Sequence, residues 1–193
     1  RTAPIQALTG VADISAGYGS YTTSEGQWMG FSIARMLDGT VQSWGSNAQG
    51  QLGDGTTSNR SSPVQVERLA NVTAIATGSN HALALKEDGT VWAWGNNGSY
   101  NLGDGTYIQR STPVQVLGLP PVVGIAAGPS GSHAITRDGT VWSWGYDHNQ
   151  NIYGKTPVQI GELTGVVAIG AGGRQTLALK SDGTVWSFNS RDK

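Results

Sequence analysis

One tetrapeptide constrains this chain more than anything else in it. Asp-Gly-Thr-Val begins at Asp38, Asp88, Asp138 and Asp182, at spacings of 50, 50 and 44 residues. A second marker, Pro-(Val/Ile)-Gln, begins at Pro4, Pro63, Pro113 and Pro157. A third, Trp-Gly, stands at Trp44, Trp94 and Trp144, with Phe188-Asn189 at the fourth place. The markers keep one order, so the chain holds four copies of one unit. The irregularities are local. Trp144 to Pro157 is 13 residues where the other units have 19, and Gly17 to Asp38 is 21 where the others have 10. The first unit therefore carries an insertion of 11 residues within 18–37.

Each unit reads as four short strands. In the second full unit these are Val72 to Thr77, Ala82 to Leu85, Thr90 to Trp94 and Val114 to Val116. Asp88-Gly89 predicts a tight type I′ hairpin, with positive φ at both central residues. Alternation puts Val91 and Ala93 on one face and Trp92 and Trp94 on the other. Pro113 is expected at a strand start, where a missing N–H is tolerated. No segment sustains a 3.6-residue period, so almost no helix is expected. Four strands in a period of 40 to 50 residues point to β-propeller blades, which must stack because one blade cannot cover both its faces. The expected fold is all-β, a single repeat domain over 1–193. Its units run over about 4–53, 63–103, 113–153 and 157–188.

The unit Ala-Leu-Ala-Leu-Lys-Glu-Asp-Gly-Thr-Val-Trp-Ala-Trp-Gly carries a family resemblance. It is followed by Gln51-Leu52-Gly53-Asp54-Gly55 or Asn101-Leu102-Gly103-Asp104-Gly105, and then by Pro-Val-Gln-Val. The pattern strongly resembles the regulator of chromosome condensation repeat over nearly the whole chain. The resemblance implies propeller blades, usually in rings of seven. That family includes a nuclear guanine-nucleotide exchange factor and a secreted bacterial β-lactamase inhibitor protein. A ring of seven needs about 350 residues at this period. No basic tail or exchange loop matches, so exchange activity and chromatin binding do not carry over. The family's His before the second strand occurs once, at His81; Phe31, Gly131 and Gln175 occupy the aligned positions. The WD-repeat pattern is absent, and the sialidase Asp-box fails because Asp182 and Gly183 are adjacent.

Charge excludes several functions. Twelve Lys and Arg against 13 Asp and Glu give a net charge of −1, and the basic residues are scattered. Nucleic-acid binding through phosphates and polybasic membrane anchoring are therefore disfavoured, and no apolar run is long enough to span a membrane. With no cysteine, thiolate metal sites and cysteine nucleophiles are excluded. The chain begins at Arg1, so a leader is not present in it, and the Gly, Ser, Thr and Asn richness with only four Lys leans towards a secreted or cell-surface protein.

No cofactor and no metal is expected. Four repeated Asp-Gly pairs are turn chemistry and not paired catalytic carboxylates. Asp54 and Asp104 lack the ligand spacing of a calcium loop and read as Asx turns. His81, His133 and His148 have no i, i+4 zinc spacing. His133 is expected half-buried. A scattered Ser-His-Asp triad stays open, without a nucleophile-elbow motif to support it.

The six tyrosines carry the functional expectation. Tyr18, Tyr21, Tyr100, Tyr107, Tyr146 and Tyr153 all read as loop residues, and Trp28 lies in the insertion. Loops between first and second strands and between third and fourth strands leave an antiparallel blade at one end. The Tyr18, Tyr21, Trp28, Tyr100, Tyr107, Tyr146 and Tyr153 set is therefore expected to form a partner-binding face. The competing reading is that tyrosines brace their own loops. The expected function is a non-catalytic interaction module for a protein or extracellular polymer. The alternatives are a self-assembling structural subunit joined through blade edges, and an inhibitor of a secreted enzyme. The chain starts with a fourth-type strand and ends after a third-type strand, so Ile5 to Leu8 is expected to pair with Val185 to Phe188, in its own chain or in a neighbour.

Overall fold

The computed structural model describes residues 8–18, 30–147, 152–161, 163–173 and 175–188, with the backbone alone at Asp147, Ile152 and Tyr153. Blade 1 comprises β1 (Val11–Tyr18), β2 (Gly30–Met36), β3 (Val41–Gly45) and β4 (Arg60–Gln65). Blade 2 comprises β5 (Val72–Thr77), β6 (His81–Lys86), β7 (Val91–Gly95) and β8 (Arg110–Gln115). Blade 3 comprises β9 (Val122–Ala127), β10 (Gly131–Thr136), β11 (Val141–Asp147) and β12 (Ile152–Gln159). Blade 4 has β13 (Val166–Gly172), β14 (Gln175–Lys180) and β15 (Val185–Phe188). Each sheet is antiparallel, with its strands in chain order. The fold is all-β with four propeller-type blades, as the repeat requires, and no helix occurs among the described residues.

The Asp-Gly turns differ from expectation. Gly39, Gly89, Gly139 and Gly183 have φ of 77, 80, 77 and 83°, while none of the four Asp residues has positive φ. The Gly89 N–H donates to Lys86 O at 2.9 Å and the Lys86 N–H to Thr90 O at 2.9 Å. This is a three-residue loop: a type I turn centred on Glu87 and Asp88, closed by a left-handed glycine bulge. The Asp carboxylate is the reason. Asp88 Oδ1 accepts from the Thr90 N–H (2.9 Å) and hydroxyl (2.6 Å), a pairing repeated at Asp38 and Asp182. Pro113 also departs from expectation, falling inside β8 and not at its start. It is tolerated because β8 is an edge strand with a register shift between the Ala93 and Gly95 pairings.

The blades stack through two unlike faces. Leu83, Leu85, Val91 and Ala93 of blade 2 pack against Val122, Ala134 and Trp144 of blade 3. Trp94 and Trp92 project the other way, into a cluster with Phe31, Ile33 and Val41 of blade 1. The period-2 alternation of one strand thus builds two cores. The first strands adjoin each other along the inside of the stack, where the Ser15 and Thr77 hydroxyls meet at 2.7 Å. Only glycine fits at the end of that seam: a Cβ on Gly78 would overlap both the His81 ring and the Gly128 carbonyl.

Of the expected partner of β15, Ile5 to Leu8, the residues Ile5, Gln6 and Ala7 lie outside the described residues. Among those described, blade 4 has three strands.

Candidate functional site

Among the described residues, the third-to-fourth-strand loops of blades 1 and 2 are the most organised polar structures. In blade 1, Asn47 is the hub. Its Nδ2 donates to Asp54 Oδ1 (3.1 Å), Thr56 O (3.1 Å) and Ser58 O (3.0 Å), and its Oδ1 accepts from the Leu52 N–H at 3.0 Å. Asn97 does the same in blade 2, towards Asp104, Thr106 O, Ile108 O and the Leu102 N–H. Asp54 and Asp104 form the expected Asx turns, accepting from the Thr56 and Thr106 N–H groups at 3.0 Å. Each also holds an arginine, Arg60 at 2.7 Å and Arg110 at 2.8 Å. Burial raises the Asp54 carboxyl, but the Thr56 hydroxyl, Arg60, the Thr56 N–H and Asn47 outweigh it, and the net shift is downward. Asp104 balances in the same direction. Their carboxylates are committed inside the loops and neutralised in place by Arg60 and Arg110. Among the described residues, no three His, Asp or Glu are grouped to hold a metal.

These loops also join blades. Leu52 and Leu102 are fully buried between one blade and the next. The Trp94 indole N–H donates to Gln51 O at 2.9 Å, and that of Trp144 to Asn101 O at 2.8 Å. Blade 3 has the shortened loop, and the residue of blade 4 at the Trp position is Phe188, which has no N–H to satisfy. The ring instead sits edge-on to His133 at 5.6 Å.

The tyrosines separate into unlike groups. Tyr107 is 71% exposed at a loop tip beside Ile108, 52% exposed, which the sequence reading did not single out. Tyr100 is in the loop at φ 61° with Lys155 Nζ 5.5 Å from its ring centre, so it braces blade 2 against blade 3. Three of the six are in strands and not loops. Tyr18 ends β1, exposed; Tyr146 lies in β11, half-buried; Tyr153 lies in β12 as the direct cross-strand partner of Tyr146. Blade 3 explains two of these: with its loop shortened, β11 and β12 run on towards each other. Tyr21 and Trp28 lie outside the described residues. The antiparallel order puts the ends of β1, β3, β7 and β11 and the starts of β4, β8 and β12 at one end of the blades, opposite the Asp-Gly turns.

The nearest arrangement to a catalytic pair is buried. His81 and Ser132 are fully buried, with Nε2 to Oγ at 2.9 Å. Asn101 Nδ2 lies 3.3 Å from His81 Nδ1, and its Oδ1 accepts from the Ser99 N–H, which fixes the amide orientation. An amide NH₂ can only donate, so Nδ1 accepts and Nε2 carries the proton. The Ser132 hydroxyl donates to Asn101 O at 2.9 Å. Histidine therefore donates to serine, opposite to the polarity of a general base. His133 is buried, not half-buried as expected, with Nε2 3.1 Å from Thr176 Oγ1.

Comparison with known proteins agrees with this architecture. Residues 38–85 and 88–135 match the profile of the regulator of chromosome condensation (RCC1) repeat, and a second profile of that repeat matches 72–101. Human WBSCR16 superposes with a TM-score of 0.81 at 25% identity, over 97% of this chain and 50% of that one. Prp20p from Saccharomyces cerevisiae, studied for its binding to Gsp1p and histones, gives 0.66 at 25% identity over 82% and 43%. Yeast RCC1 (Prp20) bound to Kap60 gives 0.70 at 22% identity over 82% and 41%. The chain spans at most about half the length of these solved relatives.

Proposed function

The chain belongs to the regulator of chromosome condensation repeat family, and from that premise we propose that it is a non-catalytic scaffold whose third-to-fourth-strand loops contact a protein partner. The observation that carries this reading is the loop tip of blade 2. Tyr107 and Ile108 are exposed side by side on a loop whose polar groups are already satisfied internally by Asn97 and Asp104. The aligned positions of blade 1 are Thr57 and Ser58. An aromatic and an aliphatic side chain held out on a rigid loop lose little conformational entropy on contact, the property of a binding anchor. Exposed Tyr18 is at the same end and extends the surface. A folded protein suits it better than an extracellular polymer, since yeast Prp20, of like fold, is described with the protein partners Kap60 and Gsp1p. Tyr100, held by Lys155, serves as support beneath the contact.

The test is affinity capture followed by titration calorimetry with the captured partner. Tyr107→Ala and Ile108→Ala each weaken binding by about 2 kcal/mol, the usual size for a central anchor. Glu87→Ala and Arg137→Ala, at the opposite end, leave it unchanged. Parent-like binding by both loop variants, with loss at the Asp-Gly end, refutes the assignment. Since Asp54 and Asp104 are already paired within their loops, affinity depends weakly on salt.

A further inference from the structure

The sequence holds one Asn-Gly pair, Asn97-Gly98, and it falls on the hub of the blade 2 loop. In a tight hairpin such a pair supplies positive φ at both central residues. Here neither residue has positive φ. The pair instead opens a turn closed by the Tyr100 N–H on Asn97 O at 3.0 Å. Glycine is not needed for that turn. Beyond its chain neighbours, a Cβ on Gly98 would meet only the Asn96 amide group, at 3.6 and 4.0 Å. Blade 1 has Ala48 in the same place. Gly103 and Gly105 of the same loop differ, since both have positive φ.

What Gly98 does supply is chemistry. An asparagine followed by glycine is open to attack by the next backbone nitrogen, because no side chain shields that nitrogen. The Gly98 N bonds to Asn97 Cγ, the Cγ–Nδ2 bond breaks, and Nδ2 leaves as ammonia, taking the Gly98 amide proton. Water then opens the cyclic imide at either carbonyl and leaves aspartate or isoaspartate at position 97. Nothing is oxidised or reduced. The folded loop holds each participant back. Asn97 is fully buried. Its Nδ2 donates to Asp104 Oδ1 (3.1 Å), Thr106 O (2.9 Å) and Ile108 O (3.2 Å), and its Oδ1 accepts from the Leu102 N–H at 3.0 Å. The Gly98 N–H donates to Asn96 Oδ1 at 3.1 Å. The reaction must wait until the loop opens.

We propose that Asn97 is a site of spontaneous deamidation, gated by opening of the blade 2 loop, and that the reaction turns a reversible opening into a permanent one. The product carries the reason. A carboxylate at position 97 has no N–H for the Thr106 and Ile108 carbonyls, and it faces the Asp104 carboxylate where the amide donor stood, 3.1 Å away. Like charges so close oppose the closed loop. Isoaspartate also lengthens the main chain by a methylene. The loop carries the exposed Tyr107 and Ile108, and its Asn101 O is the acceptor for Trp144 and Ser132 of blade 3. Its release therefore frees the loop tip and loosens one blade junction. Blade 1 keeps the same hub at Asn47 without the glycine and serves as the reference within the molecule.

The chain is aged near neutral pH, folded and in urea, and peptide mapping by mass spectrometry follows amide-to-acid conversion at Asn97 and Asn47. The change in mass separates this reaction from isomerisation at the Asp-Gly pairs, which loses no ammonia. Asn97 converts at least about tenfold faster in urea than in the folded chain, in proportion to the open fraction, and outpaces Asn47 in both. Gly98→Ala keeps the parent's circular dichroism and slows Asn97 in urea to the rate of Asn47. Asn97→Asp, which mimics one product, raises amide exchange over 98–109, and so does aged parent enriched in the acid form by ion exchange. No conversion at Asn97 in urea overturns the site. Equal rates in the folded chain and in urea overturn the gate. Parent-like amide exchange in both acid forms overturns the permanent release.

Discussion

Acid should unlock the stack through His81. Its ring is fully buried between a serine and an amide, and burial first, then repulsion from His133, lowers its pKa from 6.5 to about 4. Protonation adds an N–H at Nδ1, directly opposite the Asn101 amide donor at 3.3 Å. The folded-state pKa is the lower one, so between those values the unfolded chain binds the proton and the folded chain resists it. The contribution of neutral His81 is therefore fully present above pH 6.5, declines as pH falls through 6.5, and is gone by about pH 4. At 1.36 kcal/mol per pH unit the whole gap is worth about 3 kcal/mol, of which about 2.5 kcal/mol is lost between pH 7.5 and 4.5. That is a large share of a total stability of about 5–15 kcal/mol. Urea unfolding followed by tryptophan fluorescence at four pH values measures it. The control is His81→Phe, since Phe31 occupies the aligned place in blade 1. That variant loses a roughly constant 1–3 kcal/mol, from the amide left without its acceptor, but most of the acid slope disappears. The six Asp carboxyls with lowered pKa, at 38, 54, 88, 104, 138 and 182, start from 3.8 and act below this window. Parent and variant curves running parallel from pH 7.5 to 4.5 would refute the reasoning.

Three other perturbations test the loops and turns. Asn47→Ala removes one hub of at least four hydrogen bonds and should cost about 2–4 kcal/mol in urea unfolding, with faster amide exchange over 46–59. Trp94→Phe leaves Gln51 O buried without its donor and should cost about 1–3 kcal/mol. Gly89→Ala forces a side chain into φ 80° and should lower stability by about 1–2 kcal/mol, visible as a reduced thermal midpoint.

Much of the fold was legible because the repeat states it four times. Val91 and Ala93 against Trp92 and Trp94 announced two faces, and the clusters formed with blades 3 and 1 are those faces. The turn type was not legible from Asp-Gly alone. Choosing between a two-residue and a three-residue hairpin depended on whether Asp88 takes positive φ or instead binds Thr90. The two asparagine hubs were hidden for a different reason. Asn47 and Asn97 look like ordinary loop residues, and their partners lie five to eleven residues away. The one available signal was repetition: Asn at the third place after each full-length loop's Trp. Exposure was the least legible property. Six tyrosines read alike in sequence, yet Lys155 from the next blade engages Tyr100 while Tyr107 stands clear.

The direction of the interblade clips has a kinetic meaning. Gln51 O and Asn101 O belong to the earlier blade in each pair, while the indole donors of Trp94 and Trp144 belong to the later one. A chain emerging from the ribosome therefore completes each acceptor loop's sequence after the matching strand of its own blade but well before the next blade's tryptophan. Every new blade meets a docking groove already synthesised, and the nascent chain carries one growing end at a time. Such an order favours stepwise addition over collapse of all four blades together. It also means that a fault in one loop obstructs assembly of the blade downstream of it, before affecting the blade that contains it.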